Sequence, residues 1–140
     1  MTRFDRYLIG FVLAHFLVVL LHSVSHLVLA IVPAIPDVAF IVSVIIAGPL
    51  LPLAVLRSNR AVATGVLALV MGAAFVYGFV GHFLVAGPDH VSASVSDPWT
   101  AVFVVSAALL GALEAVSVVF AVTAFRAAVR TPSESAGPSA

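Results

Sequence analysis

The chain of 140 residues has no cysteine and no lysine. The first absence excludes disulfides, thiolate metal sites, iron–sulfur clusters and a cysteine nucleophile. The second excludes a Schiff base to retinal or pyridoxal phosphate and the lysine of a phosphate-binding loop. Charge of either sign is scarce. Six cations, all arginine, and six carboxylates make up 9% of the residues and cancel to a formal net charge of zero. There is no basic run for nucleic acid and no acidic tail. Long polar connections are scarce as well, and residues 87–97 (GPDHVSASVSD) are the sizeable loop.

What is present is apolar: 63% of the residues are hydrophobic. A soluble domain of this length carries far more charge. Four apolar stretches, at roughly residues 7–32, 38–56, 61–86 and 99–125, are long enough to read as transmembrane helices. The expected fold is an all-α, four-transmembrane-helix antiparallel bundle over residues 1–130, followed by a disordered tail over 131–140. The first stretch is about twice the length of a signal-peptide core, so it reads as a span and not as a cleaved leader. Pro33 and Pro36 are expected to end it, and Gly48-Pro49 and Pro52 to kink the second. Asp37 and the pair Asp97-Pro98 read as helix starts, and Trp99 as an interfacial anchor.

The arginines orient the chain. Arg3, Arg6, Arg57, Arg60, Arg126 and Arg130 fall on the side of the two termini and the short Arg57–Arg60 turn, and the opposite loops carry Asp37, Asp89 and Asp97. The positive-inside rule then predicts a multi-pass protein of the cell membrane with both termini cytoplasmic. Its expected surroundings are the lipid bilayer and a second copy or another subunit of a membrane complex, not nucleic acid.

Three of the five histidines, His15, His22 and His26, lie in the first stretch. Their offsets of seven and four place them on one helical stripe, within about 40° of each other. Ionisable side chains at membrane depth face a protein interior or a cavity and are expected to have a function. With a rise of about 1.5 Å per residue, His22 lies near the midplane, His26 about 9 Å to the outer side and His15 about 7 Å to the inner side. His82 in the third stretch falls about 12 Å to the outer side, on a row with Ala74 and Gly78. Glu114 falls near the middle of the fourth stretch, on a face with Ala107, Gly111 and Ser117, and His90 sits in the outer loop. These depths group His26, His82 and His90 in the outer half, put His22 with Glu114 at the midplane, and leave His15 alone.

The leading expectation is a transition-metal site. His22 and His26 form a chelating i, i+4 pair, His82 adds a third nitrogen, and Glu114 or His90 adds the fourth ligand. Nitrogen and oxygen donors without sulfur suit zinc, copper(II) or iron. Asp89 or the serines Ser23, Ser25 and Ser117 would hold the ligands from behind. The motif departs from the H-E-x-x-H of metalloproteases because Ser23 occupies the glutamate position. Glu114 would supply a catalytic base from another helix, for redox chemistry or water activation on a small or lipidic molecule. Three alternatives stand beside it: b-type haem held by His26 and His82, a proton pathway along the whole polar ladder, and a structural or assembly subunit whose histidines hydrogen-bond across helices.

Overall fold

Helix starts and stops follow local chemistry in the computed structural model, which describes residues 2–93 and 97–130. All its regular structure is helical, with no strand among the described residues. Four helices are long and apolar enough to cross a membrane: α1 (Arg3–Val28), α2 (Ile35–Val55), α3 (Arg60–Leu84) and α4 (Pro98–Arg130).

A capping box starts α1 four residues before the apolar boundary. Thr2 Oγ accepts from the Asp5 N–H, and the Asp5 carboxylate accepts from the Thr2 N–H. These bonds satisfy backbone donors that an N-terminus otherwise leaves open. Its other end is closed by two bonds, Ile31 N–H to His26 C=O at 3.0 Å and Ala30 N–H to Leu27 C=O at 3.3 Å. This is the Schellman arrangement, which usually places glycine at the left-handed residue. Here Ala30 takes it, with φ 54°. The helix therefore stops at Val28, short of the prolines expected to end it.

Pro36 lies in the first turn of α2, where its missing N–H removes no helical bond. Pro49 and Pro52 fall inside α2, which widens over Ile41–Ala47 and tightens over Gly48–Leu50. A proline cannot donate back along the helix and clashes with the preceding turn, so regular winding fails there. Gly48 brings this segment against α3, since a Cβ on it would lie 3.1 Å from Val70 Cγ1. Asn59 caps α3 by accepting from the Val62 N–H at 3.0 Å. Asp97 Oδ1 accepts from the Trp99 N–H at 2.7 Å, with Pro98 opening α4. That helix runs five residues past the expected 125 because Ala127, Ala128 and the flanking arginines are good helix formers. The tail expected over 131–140 lies outside the described residues.

Burial follows the helical repeat. Leu8, Val12, His15, Val19, His22 and Ser25 form the buried stripe of α1. Phe103, Ser106, Leu110, Glu114, Ser117 and Ala121 belong to that of α4. Near the termini the helices enclose an apolar core of Leu8, Val12, Leu56, Ala63, Leu67, Met71 and Ala121. Phe4 stacks on Phe120 at 5.3 Å there, and Arg60 pairs with Asp5 at 3.1 Å. Large aliphatics such as Leu17, Leu69 and Val119 stay exposed on the outside. Such a girdle suits hydrocarbon as solvent.

Candidate metal centre

His22 and His26 stand one turn apart on α1, and the closing bonds at Ala30 and Ile31 hold the turn that carries His26. His82 comes from a widened turn of α3, Val80–Leu84, in which Val85 N–H bonds five residues back to Val80 C=O at 2.9 Å. Such turns recur at functional sites because they re-aim one side chain without ending the helix. His22 Nε2 lies 3.0 Å from His26 Nε2 and 3.1 Å from His82 Nε2. One nitrogen of each ring lies within 4.8 Å of the other two, so the three can hold a metal ion. His22 and His82 are buried and His26 is half-buried.

The other ring nitrogens decide where the protons sit. His82 Nδ1 is 2.9 Å from the Asp89 carbonyl oxygen. A carbonyl only accepts, so His82 carries its proton on Nδ1 and turns a bare Nε2 lone pair to the cluster. His22 Nδ1 is 2.9 Å from Ser106 Oγ, whose own hydroxyl donates to Phe103 C=O at 3.0 Å. While that proton stays on Phe103 C=O, Ser106 accepts from His22 Nδ1–H, and His22 Nε2 is then bare as well. Two lone pairs thus face each other at 3.1 Å. They repel unless a cation lies between them. Their spacing approaches the ~3.3 Å edge of a tetrahedron with ~2.0 Å metal–nitrogen bonds.

Asp89 completes this end of the bundle. Val91 N–H bonds His82 C=O at 2.9 Å and folds the loop back over α3. The Asp89 carboxylate then straddles two rings, with Oδ1 3.3 Å from His26 Nε2 and Oδ2 3.4 Å from His82 Nδ1. Oδ1 is buried and has no hydrogen-bond partner. Phe103, fully buried, packs on all three imidazoles with ring centroids 5.1 to 5.4 Å away, stacked on His22 and edge-on to the others.

The remaining expected residues lie elsewhere. Glu114, placed with His22 by the depth argument, bonds His15 instead, with Oε1 3.1 Å from Nε2 and both side chains buried. His15 is therefore not alone. The cause is the shift of α1: the midpoint of Arg3–Val28 falls between His15 and Phe16, and that of Pro98–Arg130 falls at Glu114. His90 Nδ1 bonds Ser92 Oγ at 2.7 Å within the loop and is not in the cluster. Ser25 and Ser117 donate to carbonyls of their own helices, His22 and Leu113. Ser106 and Phe103 escaped the sequence reading. Ser106 precedes Glu114 by two helical turns on the same buried stripe, and that spacing was the available signal.

A cavity of about 280 Å³ adjoins the cluster. His22, His26, His82 and Asp89 line it, and so does Glu114. Fold and site together define a chain with four membrane-length apolar helices and a histidine cluster that can hold a metal. No protein-family model, curated protein or solved structure matches it.

Proposed function

We propose that this chain is a multi-pass protein of the cell membrane that binds one transition-metal ion through His22, His26 and His82, with Asp89 as the fourth ligand. One observation carries the reading: three Nε2 atoms converge while a carbonyl and a hydroxyl oxygen each lie 2.9 Å from the Nδ1 atoms of His82 and His22 behind them. Metal-binding histidines are held in this way, because the second bond sets both tautomer and ring direction. The unpartnered Asp89 Oδ1 beside His26 supplies an anionic oxygen that a cation neutralises. A nitrogen-rich donor set without sulfur selects zinc, copper(II) or iron. Haem is disfavoured, since the His22 ring sits 4.6 Å from that of His26 and 4.8 Å from that of His82, in the slot a macrocycle would need.

The helices are read as antiparallel with both termini cytoplasmic, on the arginine distribution. The cluster then lies in the outer half of the bilayer. Glu114 lines the same cavity from the middle of the bundle, where it pairs with His15.

The test is elemental analysis and absorption spectroscopy of detergent-purified protein, wild type beside His82→Ala. Stoichiometric metal in the wild type that is lost in the variant is expected. No metal after reconstitution with zinc, copper or iron would overturn the reading. A second reading, a proton pathway, draws on the His15–Glu114 contact, which continues the polar residues from the cluster to the middle of the bundle. Proton flux in liposomes that Glu114→Gln abolishes would favour it over a static metal site.

A further inference from the structure

We infer that the cavity beside the histidine cluster is a chamber for a small, uncharged, lipid-soluble molecule, which enters past α2 and turns a hydroxyl or similar oxygen toward His22, His26 and His82. The inference rests on the metal reading only for what the oxygen meets. With metal bound the oxygen adds to it as a fifth ligand, and without metal a hydroxyl donates to a bare Nε2.

The walls argue for an apolar occupant. Away from the polar end they are built from Val19, Ile41, Ile45, Leu110 and similar residues. Such a lining gives an ion no compensation for lost hydration. A volume of about 280 Å³ lies at the lower edge of the range for small-molecule pockets. Small residues on facing helices open the space. A Cβ on Gly78 would have only His82 Cδ2 within reach, at 3.9 Å, and one on Gly111 only Phe75 Cε2, at 4.0 Å.

The side of entry follows from α2. Residues 35–47 contribute no buried residue, although Val38, Ile41 and Ile45 line the cavity. That half of α2 is a thin wall with the chamber on one side and the protein's apolar exterior on the other. Its wide turns bond five residues back instead of four, so this wall is wound more loosely than a regular helix. The polar end of the chamber is fixed by proton supply. Glu114 already engages His15, whereas the cluster presents bare lone pairs. A ligand oxygen–hydrogen group is therefore drawn to the cluster. Ser106, behind His22, and Glu114 are eight residues apart on α4, or about 12 Å, so the apolar body lies between the two polar ends.

The full chain in nanodiscs, photolysed with a diazirine-bearing medium-chain alcohol and mapped by peptide mass spectrometry, tests this. Saturable labelling at Ile41, Ile45 or Leu110 is expected, displaced by unlabelled alcohol and about tenfold weaker in Gly111→Leu. Ala107→Leu is the second cavity-filling variant, should the first fold poorly. Labelling that rises linearly with probe and concentrates at Leu69 and Val119, or cavity labelling that both filled variants retain, would overturn the chamber. Metal content is measured on the same samples. Metal without saturable labelling removes the chamber alone, and saturable labelling without metal removes the metal reading alone.

Discussion

His15 and His22 sit on one face of one helix, two turns apart, and both are buried. Their surroundings make them chemically different. His15 meets a carboxylate, and the 3.1 Å contact with Glu114 lets opposite charges or a donor and an acceptor satisfy each other. His22 meets two more imidazoles at 3.0 and 3.1 Å, with its far nitrogen held by Ser106. The first arrangement joins His15 Nε2 to a carboxylate and leaves His15 Nδ1 buried without a hydrogen-bond partner. The second places like groups together, where they can hold a cation. The same residue type on the same stripe thus meets a carboxylate at one level and two imidazoles at the next. The difference lies in what α3 and α4 present.

The largest effect that separates the two is metal loss. His22→Ala is expected to remove stoichiometric metal, with affinity falling by more than about 100-fold, since even residues behind a ligand are worth about 10- to 100-fold. His15→Ala is expected to leave metal content at the wild-type level. Equal metal in both variants, by elemental analysis, would erase the distinction drawn between them. Next in size is Glu114→Ala, which strands His15 without its carboxylate. A stability loss of about 3 kcal/mol is expected in chemical unfolding, because one member of a buried pair is left uncompensated. Metal content should not move. If it falls with stability held, Glu114 belongs to the metal site after all.

Ser106→Ala sharpens the comparison from the other side. It frees the His22 ring and is expected to weaken metal binding about 10-fold or more. A competitive chelator titration reads this, and an unchanged affinity would mean that Ser106 does not set the tautomer. Acidification acts in the same direction on the cluster alone. Protons and metal compete for the same Nε2 lone pairs, so bound metal is expected to fall as pH is lowered and to return as it is raised. The smallest effect is local. Ala30→Gly relieves a left-handed alanine beside His26 and should raise stability by about 1 kcal/mol, read as an upward shift in Tm.

The helices were largely legible in the sequence, and so was the pairing of His22 with His26, because both are local. A bilayer-length apolar run has few other ways to satisfy its backbone. The i, i+4 spacing places two rings on one face wherever the helix goes. Helix ends were legible only where a polar cap could be recognised, as at Asp97-Pro98. At Thr2 and Ala30 the ends fell four residues from where hydropathy put them. Four residues are about 6 Å of depth, which is enough to exchange the partners of Glu114.

By itself, then, the sequence determined four membrane-length helices, the stripe of His15, His22 and His26, and the nearness of His82 in depth. These follow from helical periodicity and from the cost of polar groups among apolar ones. Only the tertiary structure decided that Glu114 faces His15, that the Asp89 carboxylate lies beside His26 and His82 while His90 bonds Ser92, and that Ser106 and Phe103 stand behind His22. Each of those contacts depends on the register between helices and on the path of one loop. Both are set by packing across the bundle, and no spacing within a single helix encodes them.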